Sequence, residues 1–359
     1  MEKRIKSLVN KLAGAFLLSL IIMSCSKTAN NTDSVTMKQA LTESSANLKT
    51  AMTDIASSQA FQLFTMDGAI MKSTADSLYK VYIVMDSVKG EYDYHPVIRK
   101  NHWGISLLQF FTKTANNSQM IVRMPLAKVK NPRILRQYRP ADSTLTNNFS
   151  IAVSDYHNNY NGFHDYDYNL VSEINVDDKK AGDLSIKSIV SPKNNVQYGS
   201  QFVFSDKYTA KYAYISGDTT VSSFAILDAG KTLYEEKLLT IKKVKTDTAR
   251  FGREHLYSII IGNVQIVRNS AAKTVEVYVD GVLQPNAKVT VIDKVVDPEA
   301  SVCKKRDIQI TFEDGTTTMV STLIGAQIDN IKALFTSLHQ VYFAAYIVDW
   351  IAYDIYYQR

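Results

Sequence analysis

The densest concentration of side chains able to do chemistry lies between Asp155 and Tyr168, in the run DYHNNYNGFHDYDY. His157 and His164 stand there among Asp155, Asp165 and Asp167, and imidazole with carboxylate is a donor set for a divalent metal. Against a metal, a spacing of seven fits no helical ligand pattern, and on a strand it sets the two rings on opposite faces. The same run carries Tyr156, Tyr160, Tyr166 and Tyr168. Flat phenol rings beside the directional groups of Asn and Asp165 suit a sugar, which makes the four tyrosines and Asp165 candidate glycan-binding residues. The structural alternative is an Asn-rich loop joining two strands, with the rings packed across the hairpin.

Other chemistries find little support. There is no G-x-S-x-G turn to present a serine nucleophile, no phosphate-cradling loop and no H-E-x-x-H. A glycosidase needs two carboxylates about 5–10 Å apart, and Asp165 with Asp167 share a strand face no more distinctively than many other acidic pairs. Cys303 precedes Lys304, Lys305 and Arg306, which favour a thiolate, but a small buried hydrophobe at a strand start is the better account of it. The sequence nominates no catalytic residue and no cofactor. It leans away from an enzyme, with a hydrolase of scattered carboxylates as the least favoured class.

The elements that position these residues are legible from periodicity. Met37 to Met66 reads as a helix, with Leu41, Leu48 and Ile55 seven apart and Met52 beside them; the helical segment is bounded at 37–76. From 77 to 320 the pattern changes to period two, in segments rich in Tyr, Val, Ile, Thr and Phe. Strands are expected at Leu78–Val84, Ile105–Phe111, Met120–Met124, Phe149–Val153, Asp167–Ile174 and Leu184–Val190, and at a further series ending with Asp307–Phe312. Asp280-Gly281 and Asp314-Gly315 mark tight turns. Over 326–357 the helical period returns. Ile331, Leu334, Leu338, Val341, Ala345, Val348, Ala352 and Ile355 form one row and Tyr342, Tyr346, Trp350, Tyr353 and Tyr357 another. Between Val341 and Tyr357 only Asp349 and Asp354 are charged. The expected class is α+β: a large antiparallel sheet, open, curved or sandwich-like, with an N-terminal helix and one long apolar C-terminal helix. Asn131–Leu145 and Asp177–Gly182 are the weak candidate boundaries in a body, 37–359, read as one large domain or two.

The head of the chain carries a different signal. Lys3, Arg4, Lys6 and Lys11 precede Leu12–Met23 (LAGAFLLSLIIM), then Ser24 and Cys25. This stretch of 12 residues, apolar but for Ser19, suits a signal-peptide core and falls short of the ~20 that span a bilayer. Ile22-Met23-Ser24-Cys25 resembles the lipobox of bacterial lipoprotein precursors, with Ile at the position where Leu is commonest. The resemblance covers residues 1–25 only. It implies diacylglycerol on the Cys25 thiol, cleavage that removes residues 1–24, and acylation of the new amine. Ser26, not Asp, follows Cys25, which in that family implies the outer membrane. Residues 25–36 are polar and aperiodic, a tether whose mean reach is on the order of 20 Å. The expected partner is therefore a membrane, through the lipid on Cys25, with a glycan or lipid as ligand. Nucleic acid is not expected. The formal charge of +6 falls to +3 without residues 1–24, leaving 37 basic and 34 acidic residues.

Overall fold

The computed structural model describes residues 36–65, 80–96, 107–129, 144–162, 165–191, 195–204, 207–244, 251–295, 304–339 and 342–358. The chain opens with helices α1 (Met37–Ser57) and α2 (Gln59–Thr65). Strand β1 (Val81–Val84), the short helix α3 (Met85–Val88) and β2 (Gly90–Tyr94) follow. A 3-10 turn (Leu107–Phe110), β3 (Phe111–Ala115), β4 (Met120–Met124) and α4 (Leu126–Val129) come next. The long strands are β5 (Phe149–Tyr160), β6 (Tyr166–Val176), β7 (Lys179–Val190), β8 (Val196–Phe204) and β9 (Tyr208–Ser216). Then come β10 (Thr219–Asp228), β11 (Lys231–Val244), β12 (Phe251–Ile261), β13 (Val264–Asn269), β14 (Thr274–Val279) and β15 (Val282–Leu283). Strands β16 (Lys288–Val295), β17 (Lys304–Thr311) and β18 (Thr317–Met319) precede α5 (Val320–Ile324), α6 (Gln327–His339) and α7 (Tyr342–Tyr357).

The chain divides into two compact units. One takes Ile55–Ile215 with Ala333–Arg359, the other Ser216–Lys332 with the chain up to Asp54. In the first, strand order is β9-β8-β7-β6-β5-β4-β2-β3, and β1 also pairs with β5. The 12 residues of β5 serve two neighbours: Phe149–Val153 pair with β4 and His157–Tyr160 with β1. Between those halves Ser154 is an extra residue, a β-bulge between Val153 and Asp155. Its effect is visible in burial. Phe149, Ile151 and Val153 point inward, and beyond the bulge Tyr156 and Asn158 do, opposite inward Leu170 and Tyr168 of β6. Strands β6 and β7 are joined by Asp177 and Asp178, both at positive φ (49° and 58°). Two such residues make the tight turn that matches strand twist, so Asp177–Gly182 is a hairpin and not a boundary.

In the second unit β10 to β15 form consecutive antiparallel pairs, and β16-β17-β18 form a separate three-stranded sheet. Asp280-Gly281 turns β14 into β15 as expected, with Val279 opposite Val282. Helix α1 presents Met37, Ala40, Leu41, Leu48, Ala51 and Met52 as a buried stripe. Its Thr residues fold back on the helix, Thr42 and Thr50 donating to the carbonyls of Lys38 and Ala46, an i−4 pattern that gives the hydroxyls a partner at a slight cost to the helix. Buried Ser44 donates to Asn263 Oδ1 at 3.1 Å. The turn beneath it needs Gly262: φ is +60° and a Cβ there would meet Ser44 Oγ at 2.2 Å.

The α+β class with a large, mainly antiparallel sheet stands, and three finer expectations need correction. The sheet is mixed, since β2 and β4 run parallel. Ile105–Phe111 is not a strand: Leu107–Phe110 is a 3-10 turn, whose Leu108 N–H donates to Asp354 Oδ2 at 2.9 Å, and the strand begins at Phe111. A short apolar run does not distinguish the two from sequence. Among the described residues of 326–357 there is no single long apolar helix. The described residues hold α6 of 13 residues and α7 of 16. In α6, Ile331, Leu334 and Leu338 are buried while Asp329 and Lys332 are exposed, so it is amphipathic. Among the described residues no helix is long and apolar enough to cross a membrane. The N-terminal helix is likewise two helices, and of 37–76 the stretch 66–79 lies outside the described residues, as do Cys25, Cys303 and most of Asn131–Leu145.

Candidate functional site

The run Asp155–Tyr168 is the β5–β6 hairpin, and alternation divides it between two faces. The inner face carries Tyr156, Asn158, Tyr160, Tyr166 and Tyr168. Tyr160 lies opposite Tyr166, and Asn158 opposite Tyr168. Their rings form a ladder: Tyr156 meets Tyr168 edge-on at 6.1 Å, Tyr168 stacks on Tyr166 at 6.1 Å, and Tyr166 meets Tyr160 edge-on at 6.4 Å. Tyr156 and Tyr168 are 1% and 4% exposed. They form no open platform for a sugar, and only Tyr160 and Tyr166 keep partial exposure.

Helix α7 brings a carboxyl to this ladder. Tyr156 Oη donates to Asp349 Oδ1 at 2.9 Å. Burial pushes the Asp349 carboxyl up to about 7, against a smaller downward pull from the Tyr156 hydroxyl that donates to it. Burial likewise raises Tyr156 and Tyr168, with Asp349 adding to both, and lifts Tyr353 to about 12. Asn158 Oδ1 and Tyr168 Oη are buried with no hydrogen-bond partner among the described residues. The cluster therefore holds a proton near neutral pH and fastens α7 to the hairpin. It contains no paired second acid and no nucleophile. The second unit has a similar centre: Tyr234 Oη donates to Glu236 on the same strand. Burial pushes the Glu236 carboxyl up to about 7, opposed by the Tyr234 hydroxyl and Lys332.

The outer face of the hairpin carries the other set. His157 Nε2 and Asp167 Oδ1 lie 3.1 Å apart, and Asn169 donates to Asp155 at 2.7 Å. Asp165 sits in the turn and accepts from Asn161 at 2.9 Å. His164 lies outside the described residues, and no group of three potential metal ligands occurs among those described. Among the described residues the most exposed ring beside the hairpin is Tyr82 of β1, 66% exposed and opposite Asn159. Sequence reasoning placed Tyr82 in a strand but did not single it out. It noted Asp349 only as a rare charge in an apolar helix, and that rarity was the available signal for a buried acid. Nothing in the spacing marked Glu236.

The first unit also has a half-open cleft of about 460 Å³, bordered by Lys89, Lys113 and Asn117 and floored by Leu108, Phe111 and Ile355. It gathers α3, β2, the 3-10 turn, β3 and α7. Comparison with protein-family models, with curated proteins and with solved structures finds no match to this chain. The functional reading therefore rests on residues and geometry.

Proposed function

We propose that this chain is a lipid-anchored lipoprotein of the bacterial envelope, acylated at Cys25 and held at the outer membrane, whose body binds a ligand or an envelope partner without catalysing a reaction. The observation that carries it is the run Ile22-Met23-Ser24-Cys25 after an apolar core of signal-peptide length. One acyl chain anchors marginally and two or three anchor stably, so the acylation that the resemblance implies supports a stable membrane anchor. A binding role is supported by the form of the acidic centres. Asp349 and Glu236 each take a tyrosine hydroxyl and stand apart from a second acid, as structural centres do. Mass spectrometry of the processed amino terminus tests the anchor: an acylated Cys25 is expected, and a free thiol or a retained Met1 overturns it. Cys25→Ala is expected to shift the protein into the soluble fraction.

A second reading, glycan binding at the cell surface, is favoured by Tyr82. Its exposed ring stands by Asn159 and the His157–Asp167 pair on one sheet face, an apolar plane flanked by directional polar groups. A glycan array tests it. Binding that survives Tyr82→Ala, or no binding by the parent chain, removes this reading.

A further inference from the structure

We propose that the cleft bordered by Lys89 and Lys113 binds a single-chain anionic amphiphile, an apolar chain ending in a carboxylate. This rests on the binding half of the reading above and not on its anchor. The cleft's volume of about 460 Å³ falls within the roughly 300–1,000 Å³ of small-molecule sites. Its floor is apolar, from Leu108, Phe111 and Ile355. Tyr92 adds a ring face, because its hydroxyl is spent on the Val88 carbonyl at 3.0 Å. The floor is also held in place, since the Leu108 N–H is tied to Asp354 of α7.

The border supplies an oriented positive charge. The stem of Lys113 lies across Gly90, where φ is +140° and a Cβ would meet Lys113 Cε at 2.4 Å. Only glycine leaves that path open. One acid, Asp86, lines the cleft and pairs with Lys89, and the acids on β2 behind Lys113 are committed to other partners. Glu91 pairs with Arg123 at 2.8 Å and accepts from Asn117 at 2.8 Å, and Asp93 pairs with Arg123 at 3.2 Å. Lys113 has no ion-pair partner among the described residues. Lys89 pairs with Asp86 at 3.1 Å, but that carboxylate is 88% exposed, and such pairs exchange readily for another anion. An unpaired ammonium over an apolar floor is complementary to an anionic head with an apolar tail, and repels a cationic one.

The test is isothermal titration of the Cys25→Ala chain, free of detergent, with dodecanoate below its micelle threshold. Parallel titrations use acetate, inorganic phosphate and dodecyltrimethylammonium. Saturable binding of one dodecanoate is expected, with the other three at least tenfold weaker. Lys113→Ala is expected to weaken dodecanoate about tenfold, Lys113→Arg to retain most of it, and Gly90→Ala to act like Lys113→Ala by displacing the stem. A flat dodecanoate titration, equal binding of the cationic amphiphile, or indifference to Lys113→Ala overturns the proposal. Inorganic phosphate binding as tightly as dodecanoate overturns it in favour of a plain anion site. An unacylated Cys25 would overturn the anchor while leaving this titration unchanged, so the two failures are distinguishable.

Discussion

Replacing Asp349 with Asn removes a titrating group and keeps an amide oxygen to accept from Tyr156. The carboxyl is raised from 3.8 to about 7 in the folded chain, chiefly by burial. Below pH about 4 it is protonated in both states and contributes no pH dependence. Between about 4 and 7 the unfolded chain releases the proton while the folded chain keeps it, so the folded state binds more protons and stability falls as pH rises. A tenfold change in proton affinity is worth about 1.4 kcal/mol, and a rise of roughly three powers of ten makes a loss on the order of 4 kcal/mol, complete above pH about 7. Asp349→Asn is therefore expected to match the parent near pH 4 and to exceed it near pH 8 by up to that amount. Urea unfolding at pH 4, 6 and 8, followed through the fluorescence of the two tryptophans, one of them Trp350 next along α7, reads the difference as a shift in midpoint at constant slope. Glu236, raised from 4.5 to about 7 by burial, has the same sign in the other unit and leaves a residual slope in the variant. A parent–variant gap of equal size at pH 4 and pH 8 would refute the reasoning, because the carboxyl would then not carry its proton into the fold.

Tyr156→Phe removes the donor to a buried carboxyl and is expected to cost about 1–3 kcal/mol by urea unfolding. Tyr168→Phe deletes a buried hydroxyl without a partner among the described residues and is expected to be neutral or stabilising, so equal costs for the two would contradict the assigned hydrogen bonds. Gly262→Ala forces a Cβ to 2.2 Å from Ser44 Oγ at φ +60°; a loss of roughly 2 kcal/mol is expected, and a neutral result would show that α1 is not seated on that turn. Glu236→Gln is expected to raise stability at pH 8 and leave it unchanged below pH about 4.5, checked by thermal unfolding at both values.

Much of the architecture was legible because strands and helices differ in period. The β5–β6 region was legible only in part: strands were expected at Phe149–Val153 and Asp167–Ile174 with an Asn-rich loop between them, whereas β5 runs on to Tyr160 and β6 starts at Tyr166; Asp280-Gly281 was legible as a turn, since that signal is local. The single C-terminal helix was over-read. Apolar steps of three and four continue from Ile331 to Ile355, and periodicity does not separate one helix from the two, of 13 and 16 residues, found among the described residues. The tyrosines of the hairpin divide for a related reason: tyrosine suits a core wall as well as a binding platform, and only burial distinguishes them. Tyr156 and Tyr168 proved to be walls, while Tyr82, with nothing to distinguish it in sequence, stands open.

The chain by itself determined the head and the alternation. An apolar run of fixed length ending in Ser24-Cys25, and strands that switch face at every residue, are properties of neighbours in sequence. Only the tertiary structure decided which face of the hairpin is inside. One extra residue, Ser154, shifts the register of β5, so that Tyr156 turns inward and His157 outward. It also decided that Asp349, 193 positions from Tyr156, meets that tyrosine's hydroxyl. Sequence separation carries no information about such a contact; packing α7 against the sheet creates it.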